Sequence, residues 1–194
     1  VNRDHGFFIM DYFRAPSLKT QISGNLPETQ SRLKRIVEAM CQAFVHMNEK
    51  GWLHRDIKPD NVLVNKAGEV RVIDFSLATR IMTGVMKLVA GKQKNIKGTR
   101  TYIAPEIILK NSPTPQSDIY SLGVLLYELL TGSTPFETGE LLKAGLDAIR
   151  RVIREQEAVR PSTRLRKLTH ADLTTVAQHR HSDPPTLIPT VRGD

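Results

Sequence analysis

Residues 117–130, Ser-Asp-Ile-Tyr-Ser-Leu-Gly-Val-Leu-Leu-Tyr-Glu-Leu-Leu, constrain the fold of this chain more than any other stretch. Apolar side chains recur there on nearly every side of a helical repeat, and a helix without a polar face has to be wrapped by other elements. The stretch is interrupted by Glu128 and is much shorter than the roughly 20 apolar residues that cross a bilayer, so it reads as the central helix of a core. A second helix is expected over residues 28–50, where Leu33, Ile36, Val37, Met40, Cys41, Phe44 and Met47 return at three- and four-residue steps and Gly51 stands ready to end it. Cys41 lies on that stripe and reads as a core residue. As the only cysteine, it excludes an intramolecular disulfide and a cysteine zinc site.

Around these helices lie shorter elements. Residues 7–13 form an aromatic and aliphatic run that reads as a strand leaving into a loop at Arg14-Ala15-Pro16. Residues 62–64 and 70–73 read as short strands joined by a hairpin-like connection. Residues 79–101 have no clear period and read as a surface loop, and residues 141–154 as an amphipathic helix with a basic outer face. Beyond Pro161 the chain is expected to be irregular, with one helical stretch near residues 171–179. The formal charge of +8 would suit an acidic partner, but the basic residues are spread along the chain and no recognition motif accompanies them, so no nucleic-acid partner is expected. His170, His179 and His181 lack the acidic or cysteine partners of a metal site.

The chemistry is concentrated in His54-Arg55-Asp56-Ile57-Lys58-Pro59-Asp60-Asn61, between the long helix and the first short strand. This segment resembles the catalytic loop of protein kinases, H-R-D-x-x-x-x-N. Three further segments follow in the order that family would have. Asp74-Phe75-Ser76 stands where it has Asp-Phe-Gly. Residues 98–106, Gly-Thr-Arg-Thr-Tyr-Ile-Ala-Pro-Glu, resemble the close of its activation segment, and Asp118 matches its buried helix aspartate.

The resemblance implies an α+β, protein-kinase-like fold: a mainly helical C-lobe (14–194, activation segment 74–106) preceded by the last N-lobe strand and hinge (1–13). It implies a single incomplete kinase domain transferring the γ-phosphoryl group of ATP, with Mg²⁺, to protein Ser/Thr hydroxyls. In that reading Asp56 orients the acceptor hydroxyl, Lys58 sits by the γ-phosphate, and Asn61 and Asp74 bind Mg²⁺. Thr99 would bond to Asp56 and Lys58, a serine/threonine rather than tyrosine kinase feature. Met10 would be the gatekeeper, the backbones of Asp11 and Phe13 would pair with adenine, and Leu63 would lie beneath it. His54, Phe75, Glu106 and Asp118 would be structural, and Arg55 would receive an activation-loop phosphate, with Thr83 and Thr79 as candidate acceptors. Residues 141–165 resemble bacterial eukaryotic-like kinases, especially those of planctomycete type.

The family's glycine-rich loop, strand lysine and helix glutamate would all precede Phe7, and its later helices would supply an arginine to pair with Glu106. These 194 residues alone are therefore expected to be marginal and inactive. Ser76 replaces a glycine that gives the metal loop its freedom, so reduced switching with Mg²⁺ binding kept is expected. The alternatives are a pseudokinase or regulatory ATP-binding module, and a small-molecule phosphotransferase of the aminoglycoside type. The latter lacks the Ala-Pro-Glu segment and the lysine of Asp-Ile-Lys-Pro. The expected location is the cytoplasm, with any membrane anchor outside these residues.

Overall fold

The computed structural model describes residues 11–82, 98–136, 151, 155–169, 173–174, 177–178 and 183–192, apart from the side chains of 25–27 and 190. Met10, Thr83, most of the 141–154 helix and the His170, His179 and His181 group lie outside the described residues. Of the strand expected over residues 7–13, the described part, residues 11–13, has no strand partner.

Helix α1 (Leu18–Ser31) begins just beyond the loop expected at residues 14–16, and its first turns cover residues for which no element was expected. Ser17 caps it, its Oγ accepting from the Thr20 amide at 3.2 Å. Among the described side chains Leu18 and Ile22 enter the core, while Gly24 and Pro27, both poor helix formers, hide the helix in the sequence. Arg32 interrupts the helix and its guanidinium donates to the Asn65 carbonyl at 2.7 Å and to Gln21 Oε1 at 3.1 Å. Helix α2 (Leu33–Glu49) follows, so the single helix expected over residues 28–50 is divided. Its buried residues are Ile36, Met40 and Phe44, while Cys41 is exposed, which corrects its reading as core.

Strand β1 (Trp52–Leu53) pairs antiparallel with β4 (Thr79–Arg80), a pairing between segments too short to show periodicity. Strands β2 (Val62–Val64) and β3 (Val70–Val72) form the expected hairpin, with Val62 opposite Val72 and Leu63 opposite Arg71. Its turn closes through Gly68, at φ +78°, in a left-handed conformation that a side chain would strain.

A four-residue helix, α3 (Pro105–Ile108), leads to α4 (Pro115–Thr131), the helix that the apolar run foretold. Thr114 and Ser117 close a reciprocal capping box at its start, and Gly132, at φ +81°, ends it. Val124, Leu125 and Leu129 meet Ile36, Met40 and Phe44 of α2 and Leu18 and Ile22 of α1 in one core. Burial is not complete all round, however: Ile119 is 65% exposed, and Gln116 and Gly123 are also open. Ile119 and Leu122 line a groove with Cys41, Phe44 and Val45. Periodicity reveals an apolar face but not how far neighbouring elements reach across it. Beyond Pro161 the chain forms α5 (Pro161–Arg166), which buries Leu165, and α6 (Pro184–Arg192), which buries Leu187. The irregular chain expected there is thus partly helical. The proline-rich start of α6 masked it, because proline is tolerated in a first helical turn.

Candidate active site

The α2–β1 unit delivers the chain into residues 54–61, and α4 holds that loop from below. Asp118, 3% exposed near the start of α4, accepts the backbone amides of His54 at 2.8 Å and Arg55 at 2.9 Å. Burial pushes the Asp118 pKa up, and the two amide donors pull against that rise. These bonds hold Arg55 at φ +72°, a left-handed conformation costly for a residue with a side chain.

His54 is fully buried between Phe44 and Phe75, with ring centroids 6.0 and 5.2 Å away. Its Nδ1 accepts from the Asp56 amide at 3.3 Å, so Nε2 carries the proton and donates to the Ile73 carbonyl at 3.1 Å. Burial lowers its pKa, against the Ile73 carbonyl and nearby carboxylates, which favour the charged ring. A folded-state pKa below the unfolded value of about 6.5 means that only the unfolded chain takes up a proton as pH first falls past that value. Stability contributed by His54 is therefore complete above about pH 6.5 and declines as pH falls toward the folded pKa. Urea midpoints should drop between neutral and mildly acidic pH, and His54→Gln, which keeps an amide donor for Ile73, should flatten that slope. An unchanged slope in the variant would contradict the neutral assignment.

Around Asp56 the donors converge. Thr99 gives both its amide, at 3.0 Å, and its hydroxyl, at 2.9 Å, to Asp56 Oδ1. Lys58 Nζ stands 2.8 Å from Asp56 Oδ2 and donates to Thr99 Oγ1 at 3.0 Å. Asn61 Nδ2 donates to Oδ2 at 3.1 Å and to the Asp56 carbonyl at 2.9 Å. Burial works to raise the Asp56 pKa, but the Lys58 ammonium and the Thr99 donors outweigh it and hold the carboxyl below the usual carboxylate range. Gly98, at φ +117°, makes the Thr99 contact possible: a Cβ there would lie 3.1 Å from the Arg55 carbonyl oxygen. Residues 43 apart in the chain thus share one cluster.

Asp74 ends the turn after β3 on the exposed rim, itself at φ +63°, with Oδ1 accepting the Ser76 amide at 3.3 Å. The Ser76 side chain and amide lower its pKa, and Asp56 and Lys58 both act on its charge. Ser76 is absent from the left-handed positions, so the substitution for glycine introduces no backbone strain in this conformation. Phe75, 54% exposed, leans on His54. Glu106 Oε1 accepts from Ser117 Oγ at 2.6 Å, and among the described residues no ion pair involves it.

Neither Asp11 nor Phe13, the described hinge candidates, is among the donors to Asp56. Asp11 is exposed, and Phe13 lies 5.4 Å beneath the Arg71 guanidinium, opposite Leu63 on the hairpin. Thr79 is half-buried in β4, paired with Leu53.

Among the described residues of this cluster, two oxygens are open for a cation. Among the described residues no donor approaches Asn61 Oδ1, because its amide nitrogen is turned to Asp56. Asp74 keeps Oδ2 exposed. No group of three or more His, Cys, Asp or Glu among the described residues could hold a metal alone. One carboxylate and one amide oxygen fit Mg²⁺, which retains waters and shares substrate phosphates.

Residues 1–184 match the protein kinase domain family. The chain belongs to that family. The kinase domain is 43% identical over 122 residues to the serine/threonine-protein kinase PknD of Protochlamydia amoebophila, covering 56% of this chain and 12% of the relative. It is 31% identical over 158 residues to PrkC of Bacillus subtilis, covering 81% of this chain and 23% of the relative. To PknB of Mycobacterium tuberculosis it is 30% identical over 170 residues, covering 88% and 26%. The chain thus spans about a quarter or less of the length of these relatives. The expected eukaryotic-like serine/threonine kinase affiliation and kinase-like fold hold. No helix among the described residues of the kinase domain is long and apolar enough to cross a membrane.

One contact escaped the sequence reading. Glu128, noted there only as an interruption of the apolar run, is 3% exposed and engages both Lys19 and the Tyr102 hydroxyl. A carboxylate inside an apolar helix is itself a signal that partners must be found, though it does not say which.

Proposed function

We propose that the full-length protein transfers the γ-phosphoryl group of ATP to serine or threonine hydroxyls of proteins, with Asp56 as the group that receives or orients the acceptor proton. The observation that carries this reading is the Asp56 carboxyl held ionised by Lys58 and Thr99, with Thr99 supplied by the segment that ends in Ala-Pro-Glu. An ionised carboxylate at this point can accept a hydrogen bond from an incoming hydroxyl and align it for in-line attack. Lys58 compensates the carboxylate and offers a cation to the phosphoryl oxygens. Thr99 locks the distance between that lysine and Asp56.

Asn61 and Asp74 would hold Mg²⁺, which, when bound, neutralises phosphate charge and orients the transferred group. Asn61 does so through the oxygen left open when its amide nitrogen braces Asp56. Leu63, with Phe13 and Arg71 nearby, would meet the nucleotide base, and Met10 and the backbone of Asp11 complete that side of the reading. Arg55 and Thr83 remain our candidates for an activating phosphate and its receiver.

The test is incubation of the full-length protein with γ-labelled ATP and Mg²⁺, offering dephosphorylated casein and an aminoglycoside as acceptors. Label should enter protein. Label on the aminoglycoside would select the small-molecule class, and MgATP binding without transfer would select a regulatory ATP-binding module.

A further inference from the structure

Three segments distant in sequence meet at one buried carboxylate. Glu128 of α4 receives Lys19 Nζ of α1 on Oε1 at 2.8 Å and the Tyr102 hydroxyl on Oε2. Tyr102 itself is 6% exposed, and its carbonyl accepts from Ser121 Oγ of α4 at 2.7 Å, so α4 grips this residue by both backbone and side chain. The Tyr102 amide in turn donates to the Thr99 carbonyl at 2.9 Å, closing the turn that presents Thr99 to Asp56.

On the other side, Lys19 lies just after Ser17, which bridges Leu63 of β2, while the Val64 amide donates to the Pro16 carbonyl at 3.2 Å. Gln30 reinforces the same union, its Nε2 donating to the Leu129 carbonyl at 2.7 Å. Packing alone would join α1 to α4 through Leu18, Ile22 and Leu129. A buried carboxylate adds nothing to that packing and costs desolvation unless its partners are kept in place. Its geometry therefore defines where Tyr102 must sit, which apolar contacts would define less sharply.

We propose that Lys19 is a positioning residue for the protein substrate: through Glu128 and Tyr102 it ties the hairpin side of the site to the segment that receives the acceptor chain. The proposal rests on the kinase reading for its substrate, but the coupling itself does not. Lys19 is 44% exposed at its side chain, so Lys19→Met can be accommodated without opening the core. Tyr102→Phe removes only the hydroxyl and keeps the buried ring.

In the full-length protein, two readouts decide. Hydrogen exchange of amides 98–106, which needs no activity, should accelerate in Lys19→Met and in Tyr102→Phe and return to the wild-type rate in Lys19→Arg. With casein as acceptor, KM for casein should rise about five- to tenfold in Lys19→Met while KM for MgATP stays within about twofold, the size of effect expected from one charge-assisted contact. Unchanged exchange across 98–106 in both variants, or equal changes in the two KM values, would overturn the proposal. A wild-type protein that transfers no phosphate would defeat the kinase reading, and the exchange comparison would still decide whether Lys19 orders the segment.

Discussion

Asp56→Asn is expected to slow phosphoryl transfer by about 10³-fold, the scale of a general base at a reacting hydroxyl, while MgATP affinity changes by no more than about twofold. The asparagine is nearly isosteric and can still accept from Thr99, whose amide and hydroxyl both point to Oδ1. What it loses is the negative charge that faces Lys58 at 2.8 Å. Because Lys58 and Thr99 overcome the burial that would raise the Asp56 pKa, the carboxyl stays ionised down to at least its ordinary titration range near pH 4. The transfer rate of the wild type should therefore show no acid limb from Asp56 between neutral pH and about pH 5. A single-turnover rate within tenfold of wild type in Asp56→Asn would remove Asp56 from the reaction.

The second large effect belongs to Asp118, which never approaches the reacting atoms in this account. Asp118→Ala strands the His54 and Arg55 amides inside the molecule, and each buried amide without a partner costs roughly 1–3 kcal/mol. It also releases Arg55 from φ +72°, so the loop is free to relax away from the conformation that aims Asp56. We expect a loss of about 2–5 kcal/mol in stability, lowering the melting temperature by roughly 5–15 °C, with transfer lost as well. Asp118→Asn should fall between alanine and wild type, since its amide oxygen can accept one of the two donors but its NH₂ opposes the other. Denaturant midpoints of the three proteins give the order directly, and an alanine variant as stable as the wild type would show that the loop holds itself.

What could be read in the residues follows from where each interaction is encoded. The candidate cluster around Asp56 was legible because His54 to Asn61 is contiguous, and the chemistry proposed for it is carried by residue types at fixed spacing. The hairpin of β2 and β3 was legible because Val62, Val64, Val70 and Val72 surround a short turn. Helix α4 was legible as a helix and misjudged in its surroundings, since the exposure of Ile119 depends on what lies beside it. Cys41 failed for the same reason: it shares the stripe of Met40 and Phe44 but lies toward the edge that opens beside Ile119. Helix α1 was hidden because Gly24 and Pro27 stand inside it, and part of what holds it, the Ser17 cap and the polar contacts of Gln30 and Arg32 with distant backbone, leaves no periodic signal. Lys19 and Glu128 lie 109 residues apart, and neither announces the other.

The most direct test of the central claim is to identify the amino acid that carries the label after the full-length protein has acted on casein with γ-labelled ATP and Mg²⁺. Phosphoserine and phosphothreonine are expected, lost together in Asp56→Asn. Phosphotyrosine as the main product, or undiminished label in Asp56→Asn, would contradict it.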